Sequence, residues 1–240
     1  MLECRDLWVA YPGFGTVLRG VTVRVELGKV TALLGPNGSG KTTLLLALAG
    51  LLEPERGVVL FRGEELRKQL PEARRHLGLL FQDPDDQLFN PTVRDELLFA
   101  LNQLGLAERE KSERVERVAK LLHIAHLLER PVFALSMGEK KRVALASVLV
   151  YEPEVLLLDE PTANLDPQSS ELFLSLLCKA KAEGKGVLVA TQDVKLAEEV
   201  ADEAVVLSSG SVVWSGCSPP PQEVLERAGL RFSPVSCKER

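Results

Sequence analysis

The chain has 240 residues, with 29 lysines and arginines against 34 acids for a net charge of −5, and 45% apolar and 26% charged side chains. These proportions belong to an ordinary globular chain and exclude disordered, collagen-like and fibrous classes. An acidic balance without a basic block also makes the chain a poor candidate for gripping nucleic acid by its phosphates. At about 150 residues per domain, the length suits one large domain or a core with a sub-lobe. Apolar runs such as residues 44–52 fall far short of the roughly 20 residues that cross a bilayer, so any membrane role is expected to be peripheral. The opening Met1-Leu2-Glu3-Cys4-Arg5-Asp6 carries acids where a secretory signal carries positive charge, which predicts a cytoplasmic protein. Cys4, Cys178, Cys217 and Cys237 lack the C-x-x-C spacing of a zinc site and read as reduced, unremarkable thiols.

Along the chain, Val21, Val23 and Val25 alternate with polar residues and residues 30–34 form a compact apolar run, so both read as strands. The glycine-rich segment 35–40 leads into residues 42–52, rich in leucine and alanine, which predict a helix stopped by Glu53-Pro54. Strands follow at 58–61 and 77–81. From Pro84 to Tyr151 the pattern becomes helical, with Val115, Val118, Leu121, Leu122, Ala125 and Leu128 at helical spacing across 107–130, as in a helical lobe inserted into a sheet domain. The runs 155–158 and 187–190 have the unbroken apolar character of parallel strands buried on both faces. Segments 204–207 and 212–214 flank Ser208-Ser209-Gly210 as a hairpin, and Pro219-Pro220-Pro221 begins a tail with no predicted element.

Gly35-Pro36-Asn37-Gly38-Ser39-Gly40-Lys41-Thr42 fits the phosphate-loop pattern G-x-x-x-x-G-K-[ST]. Its glycines open backbone conformations and close approach to phosphate oxygens. Lys41 supplies a charge for the β and γ phosphates, the following helix presents its positive end, and the Thr42 hydroxyl is a ligand for Mg²⁺. Asn37, Gly38, Ser39, Gly40, Lys41, Thr42 and Thr43 are therefore the candidate nucleotide contacts. Downstream, the strand 155–158 delivers Asp159 and Glu160 at its C-terminal end, the edge where open α/β sheets bind ligands. With the phosphate loop upstream, Asp159 suits the metal and Glu160 suits the orientation and deprotonation of water. Without that loop, two acids after a strand would read as a solvated loop or helix cap.

These motifs, with Leu135-Ser136-Met137-Gly138-Glu139 similar to the signature L-S-G-G-Q/E, give the chain a resemblance to the ATP-binding cassette family over nearly its whole length. The resemblance implies an α/β fold: a P-loop NTPase core with a mostly parallel sheet, an N-terminal antiparallel β subdomain and an inserted helical lobe. It divides a single ATPase domain, 1–240, into a sheet core (1–84 and 152–217), a lobe (85–151) and a tail (218–240). Ser136 and Gly138 would form a second phosphate site facing the nucleotide of another chain, while Ser136 also reads as a plain helix cap. Gln82 is similar to the loop glutamine that links metal and water to the lobe, and Asn164-Leu165-Asp166 to the dimer-contact loop, with Asp166 its main polar residue. Tyr11 lies where the family places an aromatic on adenine; as a lone tyrosine near a strand end it equally suits packing or a turn. Gln192, in Ala190-Thr191-Gln192-Asp193, stands where the family has a switch histidine. A glutamine amide donates a hydrogen bond but carries no charge, so either hydrolysis is attenuated or glutamine substitutes adequately.

The run Phe81-Gln82-Asp83-Pro84-Asp85-Asp86-Gln87-Leu88-Phe89 is similar to the F-Q-[ND]-P-D-D-Q-[LI]-F pattern of ATPases in energy-coupling-factor importers, including those for cobalt and nickel. The implied function is an engine that binds ATP and Mg²⁺, pairs with a second cassette ATPase of its own or a related kind, and drives a transmembrane subunit from the inner face of the membrane. Cobalt, nickel or a vitamin would be the cargo. A soluble assembly ATPase and a slowly hydrolysing, nucleotide-gated subunit are the alternatives. Leu88 and Phe89 read either as a docking surface for the membrane subunit or as lobe core. His123 and His126, three apart without a third ligand nearby, read as structural or solvated rather than as a metal site.

Overall fold

A computed structural model describes residues 1–230 apart from Asn164; Asn164 and residues 231–240, with Cys237, lie outside the described residues. The chain opens with β1 (Leu2–Tyr11) and β2 (Gly15–Val25), antiparallel partners joined by a short turn at Tyr11 and Gly15. β3 (Val30–Leu34) then enters α1 (Lys41–Leu48) through the glycine loop. β4 (Arg56–Phe61) pairs with β1 and with the two-residue β5 (Glu64–Glu65), completing a four-stranded antiparallel sheet ordered β2-β1-β4-β5. A short α2 (Leu66–Gln69) and a 3-10 turn lead into β6 (Leu77–Leu80).

Between β6 and β7 (Val155–Asp159) the chain is helical: α3 (Val93–Asn102), α4 (Glu108–Leu121) and α5 (Met137–Leu149). α6 (Pro167–Ala182), β8 (Gly186–Thr191), α7 (Val194–Val200), β9 (Glu203–Ser208), β10 (Ser211–Cys217) and α8 (Gln222–Arg227) follow. The second sheet is ordered β10-β9-β3-β8-β7-β6, parallel except for the antiparallel edge strand β10.

This is the α/β P-loop architecture expected from the motifs, and the alternation of side chains explains its layers. On β7 and β8, Val155, Leu157, Leu188 and Ala190 pack toward α1 and the antiparallel sheet, whereas Leu156, Leu158, Val187 and Val189 pack with α3–α6. Unbroken apolar strands are the consequence of covering both faces of a parallel sheet. Because the second cluster joins sheet and inserted helices, their relative position is set by a shared core. Among the described residues, no helix is long and apolar enough to cross a membrane.

Three predicted elements change extent. α1 stops at Leu48, not at residue 52, because Gly50 turns into the left-handed region at φ 68°, two residues past the helix. The glycine, ahead of the proline, is the stop. The helix expected over 107–130 ends at Leu121: His123 is left-handed (φ 56°), and a 3-10 turn at Ala125–Leu127 points Ile124 and Leu127 into the core while Ala125 faces solvent. His123 and His126 are therefore exposed on irregular backbone and do not share a helix face. Past the prolines the chain forms α8, whose Leu225 is buried with Ala228 against Ala32, Leu34 and Val206.

Candidate functional site

The phosphate loop joins the end of β3 to α1 at the C-terminal edge of the parallel sheet. Gly40 precedes the helix at φ 104°, a conformation L side chains rarely adopt, and a Cβ there would lie 2.7 Å from Leu18. Gly35 does not have positive φ; it is needed for space, since a Cβ would fall 2.4 Å from Ser39 Oγ and 2.5 Å from the Leu207 carbonyl. The β9–β10 turn buttresses the loop, as Gly210 N donates to the Ser39 carbonyl at 3.1 Å. No side chain caps the first turn of α1, so its N–H groups point at the loop without an internal acceptor.

Four predicted side chains meet at this edge. Buried Lys41 donates from Nζ to the Gly35 carbonyl (2.8 Å) and the Pro36 carbonyl (3.3 Å), and lies 3.4 Å from Glu160 Oε1. Thr42 Oγ1 donates to Asp159 Oδ2 at 2.6 Å. Glu160, buried and left-handed at φ 43°, is held by its own N–H on the Ala190 carbonyl (2.8 Å). Its carboxylate accepts from Thr191 Oγ1 (3.0 Å) and from the backbone N–H of Gln192 (3.1 Å). Gln192 thus serves Glu160 through a group any residue supplies, and its side chain is left exposed.

Asp159 tests the fit of a divalent cation. Burial raises its pKa above the ordinary aspartate value, against the lowering effects of the Thr42 hydrogen bond and the Lys41 charge. Its Oδ1 is buried with no hydrogen-bond partner. A buried carboxylate with one unsatisfied oxygen beside a threonine hydroxyl is an oxygen donor set that suits Mg²⁺. Gln82 follows β6 on exposed backbone and lines, with Thr42 and Asp159, a cleft of about 270 Å³.

The remaining predicted residues make local contacts. Tyr11 Oη lies 3.4 Å from Thr43 Oγ1, which puts the ring beside the first turn of α1. Asn37 and Gly38 are exposed on the loop, whereas Ser39 is buried with an unpartnered Oγ. Ser136 and Glu139 form a capping box at the start of α5: Ser136 N donates to Glu139 Oε2 (2.7 Å), Glu139 N to Ser136 Oγ (3.4 Å). Those bonds to Ser136 hold the Glu139 pKa below the usual carboxylate value. Gly138 has open space where a Cβ would sit. Asp166 caps α6 by accepting from Ser169 N (2.9 Å) and Oγ (2.6 Å), which lowers its pKa.

Sequence reading missed four residues here. Thr191 supplies the side-chain hydroxyl to Glu160; a hydroxyl ending the apolar run 187–190 was its signal. Met137 occupies the place of the signature's first glycine and exposes its side chain along the same cleft. Gln87 pins the 81–89 turn to α5: it accepts from Phe81 N (3.2 Å) and donates to the Ala144 carbonyl (2.9 Å) and Ser147 Oγ (3.0 Å). Lys141 is buried on α5 in phase with Ala144, Leu145 and Val148, where the apolar stripe would predict a hydrophobic residue.

The ABC transporter family model matches residues 18–163, more than half of the chain. The chain belongs to that family, as an ATPase domain. It is 38% identical to an energy-coupling factor transporter ATP-binding protein, EcfA, of Methanocaldococcus jannaschii, over 98% of this chain and 87% of that one. A putative ABC transporter ATP-binding protein of Archaeoglobus fulgidus is 43% identical over 96% of this chain and 97% of its own. Among solved structures, cbiO1 of Clostridium perfringens, described as part of the ABC transporter complex cbiONQ, matches with a TM-score of 0.81. Its identity is 37%, over 96% of this chain and 95% of that one.

Proposed function

We propose that this ATPase is the engine of an energy-coupling-factor importer, docked on the inner face of the membrane and paired with a second cassette ATPase. The observation that carries the reading is the convergence of Lys41, Thr42, Asp159 and Glu160 on one sheet edge. The likeness to EcfA and cbiO1 supports the importer class, and the resemblance of the nine-residue run 81–89 is what suggests a cobalt, nickel or vitamin cargo.

In this reading the loop amides and Lys41 hold the β and γ phosphates, and Tyr11 packs on the base. Thr42, Asp159 and Gln82 would hold Mg²⁺, which would neutralise phosphate charge. Glu160, oriented by Thr191 and the Gln192 N–H, takes the proton of the attacking water. Ser136 and Gly138 face the nucleotide of the partner ATPase, with Asp166 beside that contact. The chain acts as one domain in which 85–151 is an insert and 218–240 a tail. Co-purification from detergent-solubilised membranes, alongside ATPase assays of the purified chain, tests the engine: an active ATPase that brings down no membrane subunit would favour a soluble assembly ATPase.

Gln192 attenuates turnover in a homodimer because both sites lack a cationic side chain at that position. Gln192→His is expected to raise kcat by roughly a hundredfold, the scale of one lost transition-state donor, while keeping the backbone bond to Glu160. Brisk wild-type turnover with no gain in the variant would show that glutamine suffices.

Leu88 is core, buried with Val93 and Leu97, but Phe89 is 66% exposed and meets Phe99 edge-on, with centroids 4.9 Å apart. This aromatic pair is the apolar patch offered to the membrane subunit. Phe89→Asp is expected to cost about 1 kcal/mol of stability from the ring pair and to abolish membrane association, read by thermal melting and membrane pelleting. A folded variant that still pelleted with membranes would remove Phe89 from the docking surface.

A further inference from the structure

Lys141 is a buried lysine that none of the roles above uses. It lies one turn into α5, and its Nζ donates to the Ala163 carbonyl, in the turn that follows β7. That turn is closed by Ala163 N on the Glu160 carbonyl (3.2 Å) and Leu165 N on the Thr162 carbonyl (3.3 Å). Glu160 itself is left-handed, a conformation that persists only where its surroundings over-determine it. The neighbours that do so are the Ala190 carbonyl, Thr191 and the Gln192 N–H on one side, and the Ala163 turn on the other.

We propose that Lys141 is a positioning residue: it ties the turn carrying Glu160 to the signature helix α5, so that Glu160 is aligned only when the inserted helices are in place. Lys141 and Ala163 line the same cleft as Thr42, Gln82 and Asp159. Burial lowers the Lys141 pKa below the ordinary lysine value, with the charges of Glu160 and Asp83 opposing this. Burying an ammonium on the stripe of α5 that carries Ala144, Leu145 and Val148 costs desolvation that an apolar residue there would not. The inference rests on the reading of Glu160 as the base, and it adds the link between that base and the helices that meet the partner.

The test compares Lys141→Met and Lys141→Gln with wild type and with Glu160→Gln. Methionine removes the donor while filling the space, so kcat is expected to fall about tenfold or more, with KM and the affinity for a fluorescent ATP analogue within twofold. Its thermal midpoint is expected to be unchanged or raised, while amide exchange at Ala163 and Leu165 accelerates at least tenfold in the nucleotide-free protein. Glutamine restores a donor and is expected to recover part of kcat and of the protection. Wild-type kcat and exchange in Lys141→Met, or a fall in kcat that merely tracks lost stability and is equal for methionine and glutamine, would overturn the proposal. If the methionine chain does not fold, Lys141→Ala is read with the same expected and overturning results. A Glu160→Gln chain that turns over normally removes the base assignment and this inference with it. An inactive Glu160→Gln chain beside a fully active Lys141→Met chain removes the inference alone.

Discussion

A Glu160→Gln chain is expected to bind ATP with near-native affinity, to hydrolyse it between a hundred and ten thousand times more slowly, the range a positioned general base contributes, and to accumulate as a dimer in Mg-ATP. The substitution is nearly isosteric. The amide oxygen still accepts from Gln192 N, and the Thr191 hydroxyl, a donor to Glu160 in the wild type, is able to accept from the new amide nitrogen instead. Lys41 loses an anion 3.4 Å away but keeps the Gly35 and Pro36 carbonyls, so the phosphate loop retains its shape. What disappears is the proton acceptor. Single-turnover hydrolysis, equilibrium ATP binding and light scattering separate chemistry, affinity and assembly. A chain that stays monomeric at saturating Mg-ATP, with its natural partner present, would defeat the facing-dimer mechanism.

Lys41→Ala acts on binding and chemistry together. In the wild type the ammonium is buried and shared between two loop carbonyls and Glu160, and in the proposed reading it is the cation that meets the β and γ phosphates. Truncating one partner of a buried, hydrogen-bonded charge pair costs about 3 kcal/mol, roughly 150-fold in affinity. Turnover falls further, because breaking the bond to the leaving group develops negative charge on the β-phosphate side, which the lysine would neutralise. The same change leaves the buried Glu160 carboxylate with its two donors and no cation, so a lower thermal midpoint is expected as well. Isothermal titration with a non-hydrolysable ATP analogue and a steady-state assay read the two losses. Unchanged affinity and turnover would show that the loop does not hold nucleotide.

Much of this site is legible in the amino-acid order because its chemistry is local. A phosphate loop needs its glycines and lysine within eight consecutive positions, since one strand-to-helix turn builds it. The Asp159-Glu160 pair needs only a strand to carry it, and the doubly buried strands announce themselves by unbroken apolar runs. The capping box at Ser136 and Glu139 is likewise a four-residue device, readable without any fold. Where a helix ends is less readable: Leu51 and Leu52 continue the apolar pattern of α1, and only the left-handed turn at Gly50 decides against them.

Contacts between distant segments are what the tertiary structure alone decides. Thr42 and Asp159 are 117 positions apart and Glu160 and Thr191 are 31 apart, and each pair meets because β3, β8 and β7 are neighbours in the parallel sheet. Strand order has no short-range signature, so neither contact is written in a motif. Gln87 on the carbonyl of Ala144 and Lys141 on that of Ala163 depend on the packing of α5 against two loops, and in sequence they are a polar residue in an acidic run and a lysine in a basic one. Leu88 and Phe89 are adjacent and both apolar, yet one is core and the other surface. Sequence specifies that both prefer to leave water; the geometry of the 81–89 turn, clamped by Gln87 and Glu96, admits only the first.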